Sequence, residues 1–271
     1  MTMLNLPSFA ALIRTLVNNP YIALACGICS HEGIPSKFAY SRFMHKLRQR
    51  KYLVLVKDVM RSLTRQCYNT LPDFGKSVAI DATDLKAWSN GGKTHKSDPD
   101  AGWVIKGDTQ GKKKFVWGYK MHLMVDTKYE LPIAAGITKG NTADISFASN
   151  LLSEARFTNG KFKPDYVICD AGYSGRELRN LIKRQYHSQP IIRSPKTHKK
   201  WIGEETPDWQ LIFNRRTSVE RVFSRLKTQR RLNNITVRRR AKVIAHSLIP
   251  VIVILAMALA CPDMPRNMVS N

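Results

Sequence analysis

Disulfide chemistry is the first thing this 271-residue chain has too little of. Its five cysteines, Cys26, Cys29, Cys67, Cys169 and Cys261, are odd in number and irregular in spacing. That excludes a disulfide framework and suits a reducing cytoplasm. Cys26-Gly-Ile-Cys29 with His31 close behind has the look of half a zinc site. No second ligand pair follows at finger-like spacing, so chance or core packing is the favoured reading. Secretion has no support either, because Pro7 and Arg14 interrupt the apolar stretch 4–17 and no small-residue cleavage site follows. Repeats and low-complexity tracts are absent. Acidic residues are scarce: 20 Asp and Glu stand against 44 Lys and Arg, a net charge of +24. Such a surface attracts polyanions, whether DNA, RNA or an anionic membrane. The one long apolar run, 243–260, approaches the length of a membrane span. His246, Ser247 and Pro250 lie within it, and a buried final helix is the favoured reading, with no membrane partner.

What is present suffices for a sizeable core: 43% of residues are hydrophobic, which excludes global disorder. Residues 1–75 read as a basic helical region. Phe38, Phe43 and Leu47 are interleaved with Lys37, Arg42, Lys46 and Arg48, and a second helix is expected over 53–68. Pro72-Asp-Phe-Gly75 breaks the pattern and sets a domain boundary. A catalytic domain is expected over 76–260, with a tail at 261–271. Within it, 77–83 reads as a short buried strand ending at Asp81, and 90–114 as a long polar loop. Residues 114–126 and 131–138 read as strands of a hairpin, and 141–156 as a helix. Residues 165–170 form a second buried strand ending at Asp170, followed by a helix over 174–186, a brief strand at 190–193 and a basic helix at 213–227. Three strands followed by alternation predict an α/β fold with a mixed sheet flanked by helices.

Chemistry concentrates in three acidic residues. Ligands of open α/β sheets gather beyond the carboxyl ends of strands, and both Asp81 and Asp170 sit at such ends. The helix at 213–227 adds Glu220, sharing a face with Arg216 and Lys227 through steps of four and seven residues. Three carboxylates are hard oxygen ligands suited to Mg2+ or Mn2+. Asp84 is a rival first ligand, but a strand alternates faces, so Asp81 and Asp84 cannot both point into one site. Asp126 and Asp144 read as a hairpin residue and a helix-start residue, Glu204 and Glu205 as solvated, and His122 as structural rather than a general base. Residues 193–242 hold 15 Lys and Arg against 4 Asp and Glu. Arg230, Arg231 and Arg238–Arg240 are candidates for a phosphate track, and the cluster Lys112–Lys114 for another.

In that order these segments resemble the DDE-type transposases of bacterial insertion sequences, whose core is ribonuclease-H-like. Ile80-Asp81-Ala-Thr83 looks like the family's first-aspartate strand. Gly118-Tyr119-Lys120-Met-His122 with Asp126 looks like its second strand, and Gly140-Asn141-Thr-Ala-Asp144 like the start of its first core helix. Cys169-Asp170-Ala-Gly172-Tyr173 looks like its second-aspartate strand. Phe213-x2-Arg216-x3-Glu220-x6-Lys227 is similar to the Tyr-Arg-Glu-Lys signature of one branch, with Phe213 in place of the tyrosine. The resemblance spans about two-thirds of the chain. It implies a DNA transposase that cuts at insertion-sequence ends and transfers strands into target DNA, using Mg2+ or Mn2+ held by Asp81, Asp170 and Glu220. It also implies DNA contacts from Arg216, Lys227, Lys120, Arg230 and Arg231, a homodimer in the active complex, and action on the bacterial nucleoid. The substitution at 213 and the short region before Asp81 keep a second reading open, a non-cleaving DNA-binding remnant. A third is a ribonuclease-H-like nuclease.

Overall fold

A computed structural model describes residues 1–92, 97–107, 113–195 and 206–261. Lys112, Glu204, Glu205 and most of the expected tail lie outside the described residues. The chain begins with four helices, α1 (Phe9–Asn18), α2 (Pro20–Ala25), α3 (Lys37–Leu47) and α4 (Leu53–Thr70). Ser8 and Ser36 start α1 and α3 by accepting the N–H groups of Ala11 and Ala39. Strands β1 (Ser77–Lys86), β2 (Gly102–Gly107), β3 (Lys113–Asp126) and β4 (Pro132–Lys139) follow. After α5 (Ile145–Thr158) come β5 (Tyr166–Cys169), α6 (Arg176–Tyr186), β6 (Gln189–Ile192), α7 (Pro207–Asn214), α8 (Thr217–Thr228) and α9 (Arg240–Ala260).

The six strands form one mixed sheet ordered β2-β3-β1-β5-β6, with β4 also paired to β3. β1 runs antiparallel to β3 and parallel to β5, which in turn runs parallel to β6. This is the ribonuclease-H-like arrangement the sequence led us to expect. The central strand β1 is covered on both faces. Its consecutive Val78, Ala79 and Ile80 are all fully buried, which is why that stretch reads as an unbroken apolar run. α5 covers one face of the sheet, where the rings of His122 and Phe147 lie 4.8 Å apart. α8 covers the other, packing on β1 and β3.

Two elements differ from expectation. The polar stretch 90–114 contains β2, whose Trp103 and Ile105 alternate with Val104 and pair with Trp117, Phe115 and Val116 of β3. The helix foreseen over 213–227 is two helices. Thr206 caps α7 through the Trp209 N–H, and the chain turns at Arg215 and Arg216 before α8 begins. α4 does not stand apart from the sheet: Val56, Met60 and Cys67 belong to the same core as β1. It packs against α5 and, most extensively, against α9. α9 has the length and composition of a membrane-crossing helix. In the fold it buries Val243, Leu248, Val251, Leu255 and Ala258.

Candidate active site

Parallel pairing of β1 with β5 sets Ile80 beside Cys169, so the next residues, Asp81 and Asp170, occupy adjacent positions. Asp170 follows the end of β5, whereas β1 does not end at Asp81 as expected but runs on to Lys86, because residues 82–86 go on pairing with β3. Asp81 shares its face of β1 with Thr83, whereas Asp84 is in register with Lys120 on the opposite face. Each aspartate is held by the backbone. The Ala82 N–H donates to Asp81 Oδ1 at 2.7 Å, and the Gly172 N–H donates to Asp170 Oδ1 at 2.9 Å. A Cβ at Gly172 would stand 3.1 Å from that same oxygen, so the tight turn after Asp170 favours glycine there.

Glu220 arrives from the first turn of α8, where a carboxylate is favoured by the helix dipole. Arg216, just before α8, ties the two sides together: its Nη1 lies 2.7 Å from Glu220 Oε1 and 3.7 Å from Asp81 Oδ2. The Asp81 carboxyl is pushed up to about 6. Burial is the main cause, the Ala82 N–H opposes it, the negative charge of Asp170 adds to it, Arg216 opposes it, and Glu220 adds a last increment. Two carboxylates remote in the sequence, Asp170 and Glu220, therefore act on Asp81 through space. Among the described residues no three acidic, thiol or imidazole side chains are close enough to hold one ion between them; Arg216 occupies the space between Asp81 and Glu220 instead. The donor set nevertheless fits a hard divalent cation. All three groups are carboxylates, the charges of Asp170 and Glu220 both bear on Asp81, and the Arg216 guanidinium already lies between Asp81 and Glu220.

The remaining expected site residues separate into two groups. Lys227 points to the acidic face, where its ammonium donates to the Thr83 hydroxyl on β1. Lys120 lies on the far face and pairs with Asp144 at 2.9 Å while donating to the Thr142 carbonyl. Strand parity thus sets Lys120, expected as a DNA contact, on the face of the sheet opposite Asp81. Arg230 is 5% exposed; it donates to the Met3 carbonyl and to Met257 Sδ. It cannot reach a phosphate without leaving those partners. Arg231 is half-buried at a positive φ of 60°.

His122 is fully buried, with its Nε2 2.7 Å from Thr138 Oγ1, and burial lowers its pKa to about 4. It stays neutral at neutral pH and belongs to the packing under α5. Asp126 is a hairpin residue, accepting N–H groups from Gly75 and Tyr129. Phe213 is buried and stacked on Trp209, with ring centroids 4.9 Å apart, while Arg193 lies over its ring at 4.4 Å. The ring packs without any need for a hydroxyl. Cys26 and Cys29 are exposed free thiols.

One set of contacts had no signal in the sequence. Arg221 and Arg225 of α8 both reach Glu130 in the β3–β4 hairpin, at 2.5 and 3.1 Å. They fix the helix that carries Glu220, so part of the local cationic excess serves docking. Only the spacing Arg221-x3-Arg225, opposite in phase to Lys227, could have suggested it.

Comparison with known proteins gives three findings. A family model described as a transposase DDE domain matches residues 73–256. No curated protein matches the chain. Similar solved structures include the Mos1 strand transfer complex, at 13% identity over 77% of this chain and 60% of that one, with a TM-score of 0.28. The Mos1 mariner paired-end complex with Mn is 13% identical over 86% of this chain and 72% of that chain, with a TM-score of 0.28. The chain thus spans three-fifths of the first of these structures and nearly three-quarters of the second.

Proposed function

We propose, starting from the fact that this chain belongs to the transposase DDE-domain family, that it cleaves DNA at insertion-sequence ends and joins the freed strand to target DNA. The observations that support this reading are the adjacent positions of Asp81 and Asp170 on paired strands and the placing of Arg216 between Asp81 and Glu220. Asp81, Asp170 and Glu220 would hold Mg2+ or Mn2+. Such ions, when bound, lower the pKa of an attacking water or 3′-hydroxyl and stabilise the leaving oxygen of an in-line phosphodiester displacement.

The chain's own groups do the rest. Asp81, which favours its proton more than an ordinary carboxyl, must release it before it can act as a ligand. Arg216, which lies between Glu220 and Asp81, would offer its guanidinium to a non-bridging phosphate oxygen in a forked contact. Lys227, seated over Thr83 on the same face, offers a second, point-like positive charge to the backbone. Both contacts position the duplex without reading its sequence. Duplex DNA ends and a target duplex are the partners, and two ends call for two copies of the chain in the active complex. The free thiols suit work in a reducing cytoplasm beside the chromosome.

The test is nicking of supercoiled plasmid carrying the element's ends, with Mg2+ or Mn2+, by the wild-type chain and by Asp170→Asn. Cleavage by the wild type alone supports the reading. Equal background nicking by both favours the non-cleaving DNA-binding remnant. Because metal binding requires the Asp81 carboxylate, ion affinity should fall about tenfold per unit as pH drops below about 6. Calorimetric titration with Mn2+ at several pH values would show it.

A further inference from the structure

The first five residues of β3 extend past the end of β1, whose last partner is Gly118, and pair along their length with β2, Trp117 also accepting the Ala87 N–H. β1 and β5 are parallel, and β3 runs against them. This ribbon therefore projects from the same end of the sheet as Asp81 and Asp170.

Its two faces are unlike. Val104 on one face is 3% exposed. The other face carries Trp103 at 42%, Ile105 at 60% and Phe115 at 56%. Trp117 lies beside Trp103 with ring centroids 5.3 Å apart, and donates its indole N–H to Ser89, next to Trp88 at 58% exposure. By strand parity the aromatic face is Asp81's face: Phe115, Trp117, Tyr119, Met121 and Leu123 lie on one side, and Leu123 is in register with Asp81. Lys113 stands on this side too and is exposed. Between ribbon and carboxylates the same side of the sheet carries a basic turn and a lysine. The exposed turn at Arg238 and Arg239 is fastened over Tyr119, because Asp98 Oδ1 accepts both the Tyr119 hydroxyl and the Arg239 N–H. Lys227 sits beyond it over Thr83.

Rigid aromatic platforms beside a cationic path suit single-stranded nucleic acid, whose bases offer flat faces while its phosphates follow the charge. We propose that the aromatic face of the β2–β3 ribbon stacks unpaired DNA bases on a strand whose phosphates lie across the acidic site. The proposal builds on the cleavage function above. Leu123 lies six residues beyond Trp117 and eight beyond Phe115, a span of ~20–27 Å at ~3.4 Å per residue. The cationic approach and its continuity with the site favour DNA over a protein partner for this surface.

Binding of the full-length chain to labelled oligothymidine and to a blunt duplex of equal length, at one salt concentration and without divalent ions, tests it. Trp103→Ala and Phe115→Ala should each weaken oligothymidine binding roughly tenfold and leave duplex binding within about twofold. Trp103→Phe should retain most of the affinity, which controls for folding of the ribbon. Tryptophan fluorescence of the wild type should be quenched by oligothymidine and not by the duplex. Unchanged single-strand affinity in both alanine variants overturns the proposal, as does an equal loss for both DNAs. Variants that alter the mass of the DNA-free assembly while leaving DNA affinity intact also overturn it, and assign the surface to a second copy of the chain. Failure of the cleavage function would appear as nicking that does not depend on Asp170, and would leave this binding contrast intact.

Discussion

Asp81 shows at the level of a single side chain how function strains a site. Its carboxyl prefers the proton up to about 6, against an ordinary value near 3.8, so the folded chain binds more protons than the unfolded one between those values. Stability attributable to this group is therefore greatest at low pH and declines as pH rises through about 6. Asp81→Asn removes that penalty. The variant should be more stable than wild type by about 1–3 kcal/mol at pH 7–8 in metal-free buffer, with the difference vanishing below about pH 4. Urea titrations at two pH values would measure it, and a variant no more stable at pH 8 than at pH 4, relative to wild type, would contradict the assignment. The same scale explains what sequence alone could and could not tell about the site. The three carboxylates stand out in the sequence because Asp81 and Asp170 close apolar runs and Glu220 shares a helical face with two cations, but that β1 continues past Asp81 was not legible, because it follows from pairing with β3. The face occupied by Lys120 was not derivable, because it depends on the register that pairs Leu123 with Asp81, and that register is a tertiary fact. Burial of Arg230 was not derivable, because arginine is ordinarily exposed and only the fold brings Met3 and Met257 to its guanidinium.

At the scale of elements, two fastenings made by acidic residues hold the basic helices in place. Glu130 clamps α8 through Arg221 and Arg225. Glu130→Ala should cost about 1–2 kcal/mol, since one arginine is half-exposed and the other largely buried. It should also raise hydrogen exchange through the first turns of α8, where Glu220 sits. At the start of α9, Asp98 accepts the Arg239 N–H and Asp100 the Arg240 N–H. These carboxylates satisfy helix-terminal donors and face the positive end of the helix dipole. Arg239 is held at a φ of 77°, a conformation that costs about 1–3 kcal/mol and needs such support. Asp98 is fully buried and also serves Tyr119, so Asp98→Ala should destabilise the chain by about 2–4 kcal/mol in thermal or urea unfolding. The succession of strands and helices along the chain was largely readable from apolar runs punctuated by acids and glycines, though not the order of strands in the sheet. β2 was not, because a ribbon open to solvent on one face carries lysines, glycines and exposed aromatics that look like a loop until β3 pairs with it. The break between α7 and α8 was equally hidden: Arg215 and Arg216 carry no glycine or proline signal, and the turn follows from packing Phe213 on one side and Val219 on the other.

For the molecule as a whole, the net charge of +24 is offset only locally by such pairs. Duplex affinity should fall steeply with salt. If about six to ten phosphates are neutralised, log K against log salt should slope at about −5 to −9, which filter binding or anisotropy over a salt series would report. A slope near zero would mean that charge is not what brings DNA to this surface.

The pairing of α4 with α9 also bears on how the chain is made. α4 is complete by Thr70, and the helix that covers it begins at Arg240. A ribosome adding roughly 5–20 residues per second leaves that apolar flank uncovered for roughly 10–35 seconds while everything between is synthesised. Nascent chains therefore carry a sticky, half-finished helix during most of translation, and a stop codon anywhere before α9 yields a product fit for proteolysis rather than a smaller working protein.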